Sequence, residues 1–169
     1  SMVLVHLALG SNQGKSIDLL EKACSRLNQL PLLKMRSSSI LQSPPLMGMD
    51  QPEYQNQDVS GFTNMEPEKQ LRNSSSIKTA LGRIREKHWG PRTMDIDILS
   101  YGNRVIQTES LCIPHPELEN RSFVLMLLRE ISPEWAHPSS GLSIGQLWEK
   151  WRQSSSEPVP EIFKDRNVL

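Results

Sequence analysis

The chain opens on a run in which Val3, Val5, Leu7 and Leu9 alternate with Leu4, His6 and Ala8, so an extended segment here is apolar on both faces. That pattern predicts a central strand, ending at the turn cluster Gly10-Ser11-Asn12. The period then changes. Leu20, Ala23, Cys24 and Leu27 recur at i, i+3, i+4 and i+7, which predicts an amphipathic helix over about 16–30, with Pro31 just beyond it. A second strand is expected over about 34–42. Pro44, Pro45, Gly48 and Pro52 exclude regular structure from the next stretch, a long loop of the kind that often carries function. A third strand over about 55–64 and a helix over about 67–82 follow, the helix against the poor propensity of Asn73, Ser74, Ser75 and Ser76.

A second polar loop, 83–93, leads into a strand over Met94–Tyr101, expected to form a hairpin through Gly102-Asn103 to Val105 and Ile106. Helices at about 122–131 and 143–151 close the pattern. Strands and helices in this mixed order predict an α+β sandwich, a sheet covered by helices. One domain is expected over 2–151, with the Ser/Pro-rich segment 152–169 as a loosely attached tail.

Composition narrows the choice of partners. Nineteen basic residues balance nineteen acidic ones, and the pI is about 6.9. No global attraction to nucleic acid or an anionic membrane is expected, so an anionic ligand needs a local cluster of charge. Cys24 and Cys112 lack a metal-like spacing and read as reduced core thiols. No apolar run reaches the roughly 20 residues of a membrane span. The start lacks the marks of a signal peptide, Ser1 has the look of an expression scar, and a cytoplasmic, soluble monomer is the expectation.

The sharpest candidate chemistry is Asp95 and Asp97 in Met94-Asp95-Ile96-Asp97-Ile98-Leu99. Side chains alternate across a strand, so the two acids share one face while Met94, Ile96 and Ile98 share the other. Adjacent like charges oppose each other's ionisation, and a hard divalent cation removes the conflict. The plainer reading is a solvated strand face with two unrelated acids. Arg83, Arg85, Lys87, His88 and Arg92 lie just upstream, and guanidinium groups beside such a pair suit a metal-bound polyphosphate. Trp89, in the Trp89-Gly90-Pro91 segment, must pack either on the core edge or on a flat ligand. Tyr54 and Phe123 are able to sandwich a flat heterocycle whose edge Asn56 reads, or they are a half-exposed strand residue and a core residue. His115, between Pro114 and Pro116, is a phosphate or ribose contact or a free loop histidine.

Together these segments resemble the 6-hydroxymethyl-7,8-dihydropterin pyrophosphokinase family. The resemblance rests on Ala8-Leu9-Gly10-Ser11-Asn12, Ser43-Pro44-Pro45-Leu46, Gln51-Pro52-Glu53-Tyr54-Gln55-Asn56 and Leu81-Gly82-Arg83-Ile84-Arg85. It is strongest over Trp89-Gly90-Pro91-Arg92-Thr93-Met94-Asp95-Ile96-Asp97-Ile98, and continues in Ile113-Pro114-His115-Pro116 and Arg121-Ser122-Phe123-Val124-Leu125. The segments run in order from about residue 4 to 151.

The resemblance implies a ferredoxin-like fold and transfer of the β,γ-pyrophosphate of ATP to the pterin hydroxymethyl oxygen, releasing AMP, in folate biosynthesis. It implies two Mg²⁺ ions at Asp95 and Asp97, pterin stacking by Tyr54 and Phe123, edge recognition by Asn56, and main-chain contacts from Ser43 and Leu46. Arg83 and Arg92 would bind the phosphates, Ile98, His115 and Arg121 would serve ATP, and Trp89 would help seal the site. Lys78, Ser110 and Pro116 depart from residues common in the family near the nucleotide, which bears on the adenosine contacts rather than the chemistry.

Two rivals fit less well. A metal-dependent nucleotidyltransferase has its Gly-Ser about a dozen residues before the acids, as expected for one strand–helix step; here 84 positions separate Ser11 from Asp95. A sheet that binds RNA carries aromatics on its central strands, not two acids. A P-loop is excluded by the lack of its G-x-x-x-x-G-K-[ST] signature.

Overall fold

A computed structural model describes residues 1–12, 15–30, 32–43, 54–82 and 94–162. The first strand, β1 (Val3–Ser11), is central as its two-sided apolar pattern demands, and it runs through Gly10 to Ser11 rather than stopping before them. Helix α1 (Ser16–Gln29) buries Leu19, Leu20, Ala23 and Leu27. The single strand expected over 34–42 is two strands, β2 (Leu33–Ser37) and β3 (Leu41–Ser43). Both pair antiparallel with β4 (Tyr54–Thr63). Lys34 adopts a left-handed φ of 53° where the β2 register shifts. Between the two strands, the Asp58 backbone N–H donates to Ser38 Oγ at 2.9 Å.

Helix α2 (Pro67–Gly82) forms despite its serines. Gln70, Ser74, Ile77 and Leu81 make its buried face, and Gln70 Nε2 donates to Ser74 Oγ at 3.2 Å, so packing outweighs local propensity. Strand β5 (Met94–Tyr101) pairs with β1 and forms one edge of the sheet. Gly102 turns the chain after it at φ 57°, and a Cβ there would lie 3.3 Å from the Val3 side chain. The expected hairpin partner differs: β6 (Ile106–Gln107) pairs with β7 (Cys112–Ile113) in a separate two-stranded ribbon. Helices α3 (Ser122–Ile131) and α4 (Ile144–Ser154) follow, α4 opening on a Ser143–Gln146 capping box. A short β8 (Glu161–Ile162) pairs with β3.

The sheet order is β5-β1-β4-β3-β8, with β2 also on β4, and every pairing in it is antiparallel. Its faces carry separate cores. Leu7, Leu9, Val59, Met94, Ile96 and Ile98 join the buried faces of α1 and α2. On the other side Leu99 joins Val124, Leu125 and Leu128 of α3 and Leu147, Trp148 and Trp151 of α4. This is the expected α+β sandwich. Both cysteines are free, but Cys112 is exposed and Cys24 half-buried, so neither is the fully buried core thiol expected. No helix among the described residues is long and apolar enough to cross a membrane.

Candidate active site

Residues directly opposite in a β-ladder point to the same face, so the register fixes the site. Gly10 lies opposite Asn56 on β4 and opposite Asp95 on β5; Ala8 lies opposite Asp58 and Asp97. Two parallel rows therefore cross one face of the sheet, Asn56–Gly10–Asp95 and Asp58–Ala8–Asp97. The alternate residues Leu9, Ile96 and Ile98 enter the core beneath. Asp95 and Asp97 thus stand together on the face away from α1 and α2, as alternation along β5 requires, and both are half-buried.

The middle of each row is small, which leaves a shallow floor between the flanking polar groups. A Cβ at Gly10 would come within 3.3 Å of Asn56 Oδ1 and 3.9 Å of the Tyr54 ring. Asn56 is only 5% exposed and its amide is oriented: Nδ2 donates to Ser43 Oγ at 2.7 Å and more weakly to the Leu41 carbonyl at 3.5 Å. Those bonds occupy the amide's donors and leave Oδ1 over Gly10. Ser43 thus acts on this site through its hydroxyl, a contact the sequence did not suggest. Tyr54 is half-buried at the start of β4. Phe123, also half-buried, begins α3 and packs on the Leu99–Leu125 core.

Charge on this face is partly balanced from within the protein. Lys78 Nζ lies 2.7 Å from Asp95 Oδ1, with 51% and 42% of the two side chains exposed. The bond to Asp95 raises the Lys78 pKa, burial opposes the rise, and Asp97 adds to it. At that exposure the pair contributes only about 0–1 kcal/mol.

His115 is half-buried, its backbone N–H bound to the Leu99 carbonyl at 2.9 Å. Burial lowers its pKa, opposed by Asp97 and assisted by Arg121. The Glu117 backbone N–H donates to His115 Nδ1 at 3.1 Å, which places the proton of the neutral ring on Nε2. His115 therefore feels the charges of both Asp97 and Arg121. A cleft of about 550 Å³ opens beside this histidine, between the β6–β7 ribbon and His137; it includes neither acid of the pair. The Ile98 side chain is buried in the core on the opposite face, which leaves only its main chain for a nucleotide. Leu46, Arg83, Trp89 and Arg92 lie outside the described residues.

The fit of a divalent cation is read from the acids themselves. Among the described residues no group of three or more His, Cys, Asp or Glu encloses a metal. A pair of half-exposed carboxylates, one already holding a cation at 2.7 Å, suits an ion that completes its shell with water and ligand phosphates.

Two polar features of this face went unread in the sequence. Asp58 is 1% exposed, its Oδ2 has no hydrogen-bond partner among the described residues, and burial raises its pKa well above the usual value, with Glu130 adding to the rise. His6, also 1% exposed, contacts Ser100 Oγ at 3.0 Å and Ser132 Oγ at 2.7 Å, and burial lowers its pKa to about 4. His6 interrupts the apolar run of β1, a signal that could have flagged it, whereas Asp58 sits among the polar residues of β4 and carries no such mark.

Comparison with known proteins gives the site its context. Residues 6–133 match the family described as 7,8-dihydro-6-hydroxymethylpterin-pyrophosphokinase (HPPK). The 2-amino-4-hydroxy-6-hydroxymethyldihydropteridine pyrophosphokinase of Haemophilus influenzae is 39% identical over 140 residues, 82% of this chain and 88% of that protein. The protein of the same name from Synechocystis is 37% identical over 153 residues, 90% of this chain and 78% of that one. The folic acid synthesis protein fol1 of Pneumocystis carinii is 36% identical over 97% of this chain, which spans only 22% of that longer protein. Wild-type Plasmodium falciparum HPPK-DHPS superposes with a TM-score of 0.68 at 15% identity, over 89% of this chain and 45% of that one. At that identity it bears on the fold alone, which is ferredoxin-like.

The family match and its relatives' names thus place the chain among transferases of the kinase type, the pyrophosphokinases. The chain belongs to the 7,8-dihydro-6-hydroxymethylpterin-pyrophosphokinase family, whose reaction is pyrophosphate transfer to hydroxymethyldihydropterin in folate synthesis.

Proposed function

We propose that this chain moves the β,γ-pyrophosphate of ATP to the hydroxymethyl oxygen of 6-hydroxymethyl-7,8-dihydropterin, releasing AMP, with two Mg²⁺ held by Asp95 and Asp97. The observation that carries the reading is the shared sheet face on which Asp95 stands in register with Gly10 and Asn56, and Asp97 with Ala8 and Asp58. When bound, magnesium supplies charge neutralisation across the polyphosphate.

The protein's own groups do the remaining positioning. The Gly10–Ala8 floor accommodates a flat ring, Asn56 Oδ1 accepts a hydrogen bond from its edge, and Tyr54 and Phe123 cover its faces. Ser43 and Leu46 add to the pterin contacts. Arg83 and Arg92 grip the phosphates, Trp89 closes over the site, and His115, Arg121 and the Ile98 main chain serve the nucleotide. Positioning of this kind supplies most of the catalysis in phosphoryl-type transfer. The same reading takes ATP and the pterin as small-molecule substrates of a cytoplasmic monomer, without a nucleic-acid or membrane partner.

The test is incubation with ATP, Mg²⁺ and 6-hydroxymethyl-7,8-dihydropterin, followed by chromatographic separation. AMP and the pterin diphosphate in equal amounts are expected; ADP or free pyrophosphate as the nucleotide-derived product would contradict the reading.

A further inference from the structure

We infer that Lys78 is the resident counter-ion of the acidic pair, so that a divalent metal gains Asp95 only as Lys78 withdraws, and therefore enters best together with a nucleotide. The inference rests on the proposed role of Asp95 and Asp97 and concerns how their site is filled.

The geometry behind it is specific. Helix α2 packs on the face of the sheet opposite the acids, where Ile77 and Leu81 meet Met94, Ile96 and Ile98. Asp95 stands on the other face. Lys78 reaches it because β5 is an edge strand, around which a four-carbon stem can pass. Its ammonium then sits 2.7 Å from Oδ1, the place a metal would take on that oxygen. Both groups are about half exposed, so the bond is weak and yields without unfolding anything.

An ammonium this close repels an arriving divalent ion and lowers the net charge that attracts it. A polyphosphate reverses the balance, since its oxygens offer the displaced ammonium a new anionic partner while they complete the metal's coordination. Lys78 thus couples metal uptake to nucleotide uptake and disfavours a site loaded with metal alone. It is a positioning residue, acting through Asp95.

The test is Mn²⁺ binding followed by the EPR signal of the free ion, with and without a non-hydrolysable ATP analogue. Wild type, Lys78→Met, Lys78→Arg and the Asp95→Asn, Asp97→Asn double variant are compared. Without nucleotide, Lys78→Met is expected to bind Mn²⁺ about three- to fivefold more tightly than wild type, while Lys78→Arg, which keeps the charge, stays within about twofold. The enhancement of Mn²⁺ affinity by the analogue shrinks in Lys78→Met. Equal or weaker Mn²⁺ binding by Lys78→Met would overturn the inference if the double variant has lost the metal. Should the double variant bind Mn²⁺ and analogue as wild type does, the acidic-pair reading itself fails.

Discussion

Gly10 lies directly across the β1–β4 ladder from Asn56, and a side chain at position 10 would place its Cβ 3.3 Å from Asn56 Oδ1. The absence of a side chain keeps the amide oxygen accessible over the floor of the site. Gly10→Val is expected to raise the pterin KM at least about tenfold, equivalent to about 1.4 kcal/mol of lost binding. The ATP KM should change much less. Steady-state kinetics with each substrate varied would check this, and an unchanged pterin KM would contradict it.

The orientation of that amide depends on Ser43, whose hydroxyl accepts from Asn56 Nδ2 at 2.7 Å. In Ser43→Ala the nearly buried amide keeps only the 3.5 Å bond to the Leu41 carbonyl. Leaving such a donor under-satisfied costs about 1–3 kcal/mol, so stability and pterin affinity fall together. Pterin binding measured by calorimetry should weaken about tenfold; affinity equal to wild type would show that Ser43 does not set the amide.

Asp95→Ala and Asp97→Ala remove groups that are half-exposed, so the fold should survive, with little change in circular dichroism or Tm. Each is expected to cut kcat by about 10²–10³, the scale of losing one preorganised electrostatic contact. Near-wild-type turnover by either variant at saturating Mg²⁺ would remove that residue from the reaction.

Further along the same face, His6 gives the protein an acid-side sensitivity. Its pKa falls from 6.5 in the unfolded chain to about 4 when buried between Ser100 and Ser132. Between those values the unfolded state holds more protons, so the His6 contribution is complete above pH 6.5 and is lost as pH drops towards 4. The loss is about 3 kcal/mol across the window. Asp58 acts in the opposite sense. Burial raises its pKa, so the folded state retains a proton that the unfolded chain releases, and stability falls as pH rises from 3.8 towards the raised value.

The two residues separate by mutation. In chemical denaturation, His6→Gln should flatten the acid-side loss of stability relative to wild type. Asp58→Asn should bring a stability gain that grows as pH rises above 4. Parallel pH profiles in wild type and both variants would contradict these assignments.

Much of this was legible in the chain itself. The apolar periods gave β1, α1, β5, α3 and α4 because each buries a regular stripe of its own side chains. The acidic pair was legible for the same reason, since strand alternation alone puts Asp95 and Asp97 on one face. The break between β2 and β3 was not, because it depends on Lys34 turning left-handed and on Ser38 accepting from the Asp58 backbone, a contact made across 20 positions. The β6–β7 ribbon is not legible as such, because a Gly-Asn turn marks a reversal without naming its partner. Lys78 could not be assigned to Asp95 before β5 was known to be an edge strand. Ser43 stayed hidden as the amide's partner until β3 was seen beside β4.

The most direct measurement of the central claim is equilibrium uptake of magnesium and a non-hydrolysable ATP analogue by wild type and by the Asp95→Asn, Asp97→Asn double variant. Wild type is expected to take up the metal–nucleotide complex and the double variant to lose most of that uptake while remaining folded. Equal uptake by the two proteins would contradict the assignment of this sheet face as the site of pyrophosphate transfer.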